Sequence, residues 1–204
     1  MLVPSMTLEE VRREFEKDFE IIFRKATYVS HKLERNLSKA MKEKGHVSFF
    51  DYYSKYKNTW IYRVYITKKQ DIVSFMVFYD NPKGHLAITR TEEKYLVFHT
   101  GHFFERFNER CKLGLTSYKD IVCAFMDDCI TYAFQPLEQI APGVKKFFGI
   151  IPSGAILGIQ NENLRIFKIN TFLSNDLLRG DQKEFQKQLN TALDKYVPAS
   201  GKYF

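Results

Sequence analysis

The residues with the clearest potential for chemistry lie four positions apart in one short segment. His102, Arg106 and Arg110 share this spacing, which places them on one stripe of an α-helix. Phe103 and Phe107 have the same spacing on a neighbouring stripe and are expected to pack the helix against a core. One imidazole and two guanidiniums near the positive end of a helix dipole favour a bound anion. The spacing therefore predicts a phosphate-binding row.

A purely structural role explains the same stripe. Glu105 and Glu109 interleave with the basic side chains, and Glu–Arg pairs at helical spacing are common on exposed helices. Two interpretations therefore stay open: a row that binds phosphate, or a surface helix covered by ion pairs.

A second group of candidates combines basic and aromatic side chains. The segment from Tyr52 to Lys69 contains five Lys or Arg residues and five tyrosines, but no acidic residue. Positive charge follows a nucleic-acid backbone while rings stack on unpaired bases, so we predict a surface for single-stranded nucleic acid. Its candidate residues are Lys55, Lys57, Arg63, Lys68 and Lys69, with Tyr52 and Tyr56. Alternatively, the strand-like run Trp60–Thr67 buries its rings in a core.

Composition and charge indicate a globular protein of moderate basicity. Of 204 residues, 45% are hydrophobic and 27% charged, which is ordinary for one domain with a sizeable core. The formal net charge of +7 favours acidic partners, and nucleic acid first. The three cysteines form no C-x-x-C pattern, so we expect reduced thiols in the cytoplasm, no metal site and no cofactor. No run of apolar residues is long enough for a membrane span, and the first ten residues lack a signal-peptide pattern.

Hydrophobic periodicity and capping residues predict the elements that position these candidates. Thr7 and Glu10 have capping-box spacing, and they open a helical pattern that ends at Gly45. We predict one α+β domain over 1–204, with an antiparallel sheet of about five to seven strands, the N-terminal helix packed on it, and helices between the strand groups. The predicted order is a helix over 7–44, a β-meander over 52–99, an α/β segment over 100–178 and a C-terminal helix over 181–197.

The second half of the chain resembles a family of small ribonucleases. Over 93–178, a strand leads into the row of His102, Arg106 and Arg110, followed by a second helix, a hairpin and a last strand with Thr171. This order is similar to that of BrnT-like and RelE-type members of the barnase–EndoU–colicin–RelE fold. The resemblance implies a toxin-like endoribonuclease that attacks the adjacent phosphate with the ribose 2′-oxygen and needs no metal. It also implies an antitoxin or another protein as partner.

The resemblance also implies roles for single residues. His102 would transfer a proton, with His99 as the alternative, because an imidazole titrates near neutral pH. Arg106 and Arg110 would bind phosphate oxygens and stabilise the charge of the transition state. Thr171 would donate a hydrogen bond to the phosphate.

The last strand offers two possible ligand faces. Strict alternation places Thr171 on the side of Phe167 and Ile169, and it places Lys168 and Asn170 on the other side. If the first side is the core, Lys168 and Asn170 are the better candidates for contact with nucleic acid. The alternation does not choose between the two faces.

Three functions are compatible with these patterns. The first is an RNA-cleaving enzyme, and the second is a non-catalytic module that binds nucleic acid or phosphate. The third is an interaction or structural protein that uses the N-terminal helix. An enzyme would cut RNA in EDTA, a binding module would bind RNA without cutting it, and a structural protein would do neither.

Overall fold

The computed structural model describes residues 1–3, 5–81, 84–129 and 133–196, with side chains except at 80–86 and 192–196. The chain divides into two compact units, Met1–Thr89 and Arg90–Phe204. Both units combine helices with strands, which confirms the α+β class. No helix in the described part of the chain is both long enough and apolar enough to cross a membrane.

The first unit begins with two helices and continues with four strands. Its strands run in the order β1-β2-β3-β4, and the register of neighbouring strands is antiparallel. Its elements are α1 (Leu8–Asn36), α2 (Lys39–Lys44), β1 (His46–Tyr53), β2 (Thr59–Ile66), β3 (Asp71–Asn81) and β4 (Gly84–Arg90).

The capping box predicted for the first helix is present. The Thr7 hydroxyl oxygen accepts a hydrogen bond from the Glu10 backbone N–H at 3.3 Å, and the Thr7 N–H donates to the Glu10 carboxylate at 2.8 Å. These reciprocal bonds satisfy backbone donors that the first helical turn leaves unpaired. The prediction of the helix start is therefore confirmed.

The predicted helix over 7–44 is interrupted near its end. Leu37 and Ser38 adopt extended backbone, with ψ of 133° and 157°, and the Ser38 hydroxyl caps α2 through the Met41 N–H at 3.3 Å. Gly45 then ends α2 with a φ of 79°, a conformation that glycine adopts without steric cost. The end of the helical region was right, but a serine N-cap divides it into two helices.

Helix α1 packs its apolar stripe on β2 and β3. The Phe15 ring lies 5.1 Å from the Trp60 ring, and Phe19 lies 5.4 Å from Phe75, centroid to centroid. These residues are buried, as are Ile22 and its neighbours on the same stripe. The prediction that the N-terminal helix packs on a sheet is confirmed.

The second unit builds a five-stranded sheet with helices on it. Its strands run in the order β5-β9-β8-β7-β6. Its elements are β5 (Leu96–His99), α3 (Gly101–Arg110), α4 (Tyr118–Asp128), β6 (Ala133–Ala141), β7 (Val144–Ile151), β8 (Gly154–Asn161), β9 (Ile166–Ser174), a 3₁₀ turn (Asn175–Leu177) and α5 (Asp181–Tyr196).

Two features of the strands differ from the prediction. The described residues contain nine strands, which exceeds the predicted five to seven. The two additional strands, β1 and β6, were not predicted. Strand β5 was expected to belong to an antiparallel sheet, yet it pairs in parallel with β9. The chain leaves β5 through α3 and returns to β9 only much later, and such a long connection is what a parallel pair requires. The sheet is therefore mixed, although most of its strand pairs are antiparallel.

An aromatic cluster holds α3 in the second unit. Phe103, Phe104 and Phe107 lie with their ring centroids 5.0, 5.6 and 5.5 Å from that of Phe125 on α4. Phe107 also lies 5.2 Å from Phe172 of β9. All of these rings are buried. The docking face predicted for α3 is therefore confirmed.

Phe125→Ala is expected to destabilise the protein strongly, because it removes a ring that several others contact. Truncation of a buried phenylalanine costs about 3–5 kcal/mol, from lost burial and the cavity left behind. Urea unfolding measures the change, with Leu164→Ala, at a half-exposed position of the same unit, as the control. Equal effects of the two substitutions would contradict the central role of this ring.

Candidate nucleic-acid interface

The predicted row on α3 is present, and each of its side chains has a partner within the protein. His102 Nδ1 lies 3.7 Å from a Glu105 carboxylate oxygen, and Arg106 Nη1 lies 2.6 Å from Glu109. Arg110 donates from Nη1 to the backbone carbonyl of Phe172. Arg106 thus has the ion-pair partner expected of a surface helix, His102 lies close to a carboxylate of the same helix, and Arg110 joins α3 to β9.

A bulge in β9 moves Thr171 away from this row. Leu157 pairs with Thr171 while Gly158 pairs with Ile169, so Asn170 is an extra residue in the ladder. Leu157 and Gly158 are consecutive in β8 and face opposite sides of the sheet, and paired residues share a side. Thr171 and Ile169 therefore point to opposite faces of the sheet. Phe172 therefore shares the face of Ile169, and it is Phe172 that contacts Phe107 of α3.

Thr171 consequently lies on the face away from α3. Its partner in the ladder, Leu157, packs with Phe148 and Ile150 near Phe185 of α5. The expectation that Thr171 shares the side of Phe167 and Ile169 was wrong, because simple alternation does not anticipate a bulge. Exposed Lys168 lies on the same face as Thr171, since it is one residue before Ile169.

The two remaining β9 candidates do not complete a site beside His102. The backbone carbonyl of Asn170 accepts a hydrogen bond from the Thr100 hydroxyl at 3.4 Å. Thr100 is also the N-cap of α3, so this contact attaches the start of α3 to β9. The hydrogen bond to the Asn170 carbonyl thus serves to attach α3. Lys168 lies on the opposite face of the sheet from α3.

Two other candidates are buried in cores. His99 has no solvent exposure, and its ring centroid lies 5.3 Å from Phe125 and 5.7 Å from both Phe103 and Phe104. Arg63 of β2 is 1% exposed, with its guanidinium carbon 5.1 Å from the centre of the Tyr65 ring. The structure places both side chains where a nucleic acid does not reach them.

The basic residues of the segment from Tyr52 to Lys69 are separated in space. Lys55 and Lys57 lie in the turn before β2, whereas Lys68 and Lys69 follow its far end. Eight residues of extended chain span about 26 Å, so the two lysine pairs do not form one patch. Lys68 lies 3.6 Å from Glu43, next to α2.

A basic stripe on α1 was not anticipated from the sequence. Its exposed residues include six Lys or Arg side chains and one tyrosine: Arg13, Lys17, Arg24, Lys25, Tyr28, Lys32 and Arg35. Phe23, His31, Glu9 and Glu20 are also exposed on α1. Steps of four and seven keep most of the basic side chains on one side of the helix, along about 33 Å. The same periodicity, applied to basic instead of apolar residues, would have revealed the stripe.

The α1 stripe contacts one tyrosine of β1 and one of the turn that follows it. Lys25 Nζ lies 4.2 Å from the centre of the Tyr52 ring. The Tyr56 ring has Lys55 Nζ at 4.9 Å and Lys17 Nζ at 5.9 Å, and Lys17 Nζ also lies 2.6 Å from a Glu14 carboxylate oxygen. Cations near ring faces are held there by the ring quadrupole. We call these three lysines and two tyrosines the Lys–Tyr surface.

A buried polar network positions the turn that carries Lys55 and Tyr56. Asp18, fully buried in α1, accepts hydrogen bonds from Asn58 Nδ2 at 2.6 Å and Trp60 Nε1 at 3.1 Å. The Ser54 hydroxyl oxygen accepts from the N–H groups of Tyr56 and Asn58. The turn thus has its polar ends fixed in the interior, and its central residues are presented outward.

The charge of the chain is concentrated in the first unit. Met1–Thr89 contains 16 Lys and Arg against 11 Asp and Glu, whereas the remainder contains 15 against 13. Five of the seven excess positive charges therefore belong to the unit with the Lys–Tyr surface. The resulting field attracts polyanions toward that unit.

A polar cluster in the second unit lacks the properties of a catalytic site. The Asp128 carboxylate accepts hydrogen bonds from the Ser153 hydroxyl at 2.5 Å and the Ser153 N–H at 3.3 Å, and burial raises its pKa. Burial also raises the pKa of the Cys111 thiol, against a hydrogen bond with Ser153 that lowers it. A thiol with a raised pKa stays protonated at neutral pH, so Cys111 is a poor nucleophile. No metal-binding group of three His, Cys, Asp or Glu side chains occurs among the described residues.

Asn58→Ala is expected to destabilise the protein by about 1–3 kcal/mol, because it removes a donor from a fully buried carboxylate. Urea unfolding gives the change. Asn36→Ala, at an exposed position, is the matched control and should change stability far less. An Asn58→Ala protein as stable as this control would mean that the Asp18 network does not hold the turn.

Asp128→Asn is expected to alter the pH dependence of stability. Because the folded-state pKa of Asp128 is raised, its stabilising contribution is complete below the unfolded-state pKa and is lost as pH rises through the folded-state value. Asparagine keeps an oxygen acceptor for Ser153 but does not ionise. The variant should therefore gain stability relative to wild type as pH rises from 4 to 8, measured by urea unfolding. A constant difference over that range would count against a buried, ionising Asp128.

Comparison of the chain with protein-family models, curated protein sequences and solved structures found no match.

Proposed function

We propose that this protein binds single-stranded nucleic acid, RNA in particular, through the Lys–Tyr surface. The observation that carries the proposal is the arrangement of Lys17, Lys25 and Lys55 around the rings of Tyr52 and Tyr56. Lysines pair with phosphates, and aromatic rings stack on bases that are not already paired with a complementary strand. A basic and aromatic surface therefore suits a single strand better than a duplex.

The neighbouring elements extend the binding surface. In addition to Lys17 and Lys25, the exposed face of α1 carries Arg24, Lys32 and Arg35. A phosphate backbone that follows α1 would meet basic side chains at successive turns, while its bases lie toward β1. The buried hydrogen bonds of Asp18 hold the turn in place, so less conformational entropy of the turn is lost when a ligand binds.

Binding without cleavage is the form of this function that the geometry supports. The ribonuclease resemblance requires an imidazole, two guanidiniums and Thr171 at one phosphate. Thr171 lies on the opposite face of its sheet from α3, and His99 is buried. Ribonuclease activity of the His102 row therefore stays a prediction of the resemblance.

Replacing Lys17, Lys25 and Lys55 together by Gln is expected to weaken RNA binding and to make it less dependent on salt. Each lost phosphate contact lowers the slope of log affinity against log salt by about 0.7 for a single strand, so the slope should fall by about 2. Fluorescence anisotropy with a labelled 20-nucleotide oligouridylate measures both effects. The matched control replaces Lys39, Lys68 and Lys69, which lie in the same unit away from the tyrosines. Equal losses in both triple variants would contradict the assigned surface.

Tyr52→Ala and Tyr56→Ala are each expected to weaken binding of the same oligonucleotide by about 5- to 150-fold, because stacking on a base contributes about 1–3 kcal/mol. Tyr52→Phe and Tyr56→Phe keep the rings and should bind like wild type. Alanine variants that bind normally would show that the rings are not stacking platforms. The same RNA is incubated with wild type in EDTA: cleavage that His102→Gln abolishes would favour the ribonuclease instead.

A further inference from the structure

Strand β1 is a long, regular edge. All eight residues of His46–Tyr53 pair with β2 without interruption in register. Among the strands that the structure describes, none pairs with the other side of β1. A strand directs alternate N–H and C=O groups to each side, so this edge can accept the backbone of another strand.

The terminal strand of the second unit shows how an edge is normally protected. Strand β6 contains Pro136 and two irregularities in its register with β7, on either side of Gln139. Proline removes a donor, and bulges twist an edge away from a possible partner. Strand β1 has no proline, no lysine and no bulge against β2. One terminal strand is thus protected against pairing, and the other has none of these protections.

The side chains of β1 offer flanking contacts to an added strand. Phe49 is 37% exposed and Tyr53 is 66% exposed, and their spacing of four places both on one face of the sheet. Tyr52 lies on the other face, beneath Lys25. An incoming strand would therefore find aromatic surface above and below its backbone.

The charges near β1 indicate the chemistry of its partner. Lys44 ends α2 two residues before the strand, and Lys55 and Lys57 follow in the turn after it. All three are exposed. Asp51 is the only acidic residue within β1. An extended segment that pairs along the strand would have lysines close to both of its ends.

We propose that the free edge of β1 binds an extended peptide, apolar at its centre and acidic at both ends, by addition of a strand to the sheet. Main-chain hydrogen bonds supply the attraction in this mode of recognition, and side chains supply the selectivity. The proposal goes beyond nucleic-acid binding. One consequence rests on the proposed function: Lys55 serves both ligands, so such a peptide and RNA would compete.

The test uses a fluorescent peptide of alternating valine and threonine with two glutamates at each end, titrated with the full chain in the absence of nucleic acid. We expect saturable binding, and slower hydrogen exchange at alternate β1 amides. The same peptide with its alternate amides N-methylated should bind at least tenfold more weakly, because it cannot pair along the strand. A version with lysines in place of the glutamates should also bind at least tenfold more weakly.

Protein variants locate the site. Lys44→Glu with Lys57→Glu should weaken peptide binding at least fivefold. The matched control, Lys183→Glu with Lys187→Glu on α5, changes the net charge equally and should have no effect. Equal binding of the N-methylated peptide, or no binding of the acidic peptide, would overturn the proposal.

Other outcomes separate the alternatives. If the chain alone sediments as a dimer with its β1 amides protected, the occupant of the edge is a second copy and the proposal is wrong. Peptide binding by a protein that fails to bind oligouridylate would retain this inference and refute only the proposed function.

Discussion

The packing of Phe15 and Phe19 of α1 against Trp60 and Phe75 determines which way the first helix faces. An α-helix has 3.6 residues per turn, so burying one stripe directs the opposite stripe to solvent. On α1 the solvent stripe is rich in Lys and Arg. The same packing brings Lys17 and Lys25 next to the tyrosines of β1 and the following turn. A hydrophobic contact thus creates the basic surface.

The buried carboxylate of Asp18 makes this arrangement specific. It lies on α1 between Lys17 and Phe19, and it receives hydrogen bonds from Asn58 and Trp60 of the neighbouring hairpin. Apolar packing alone tolerates small shifts of a helix along a sheet, whereas a buried carboxylate must keep its donors. The position of the lysines relative to the tyrosines is therefore tied to a hydrogen-bond network as well as to ring packing.

In the second unit, one extra residue in β9 changes which of its side chains share a face of the sheet. The bulge at Asn170 lets Ile169 and Phe172 share a buried face, and it moves Thr171 to the other side. Within α3, Arg106 forms an ion pair with Glu109, and His102 lies 3.7 Å from Glu105. The hydrogen bond from Arg110 to the Phe172 carbonyl joins α3 to β9. These contacts are those expected of a surface helix, and phosphate binding by the row stays a prediction.

Local patterns in the sequence were enough to locate most elements. The capping box at Thr7, the end at Gly45, the apolar face of α3 and the hairpin of β7 and β8 follow from spacing and from turn residues within a few positions of each other. Strand β1 escaped prediction because its run from Val47 to Phe50 does not alternate cleanly.

The tertiary structure alone decided which candidates meet. The parallel pairing of β5, the bulge at Asn170 and the burial of His99 and Arg63 depend on contacts between residues far apart in the chain. The spacing of residues in a sequence predicts which face of a helix or strand they share, but it does not predict which other element packs on that face. The spacing of basic residues in α1 could have been recognised in the sequence. Tyr52 and Tyr56, however, belong to β1 and the following turn, and only the tertiary structure places them next to the α1 lysines.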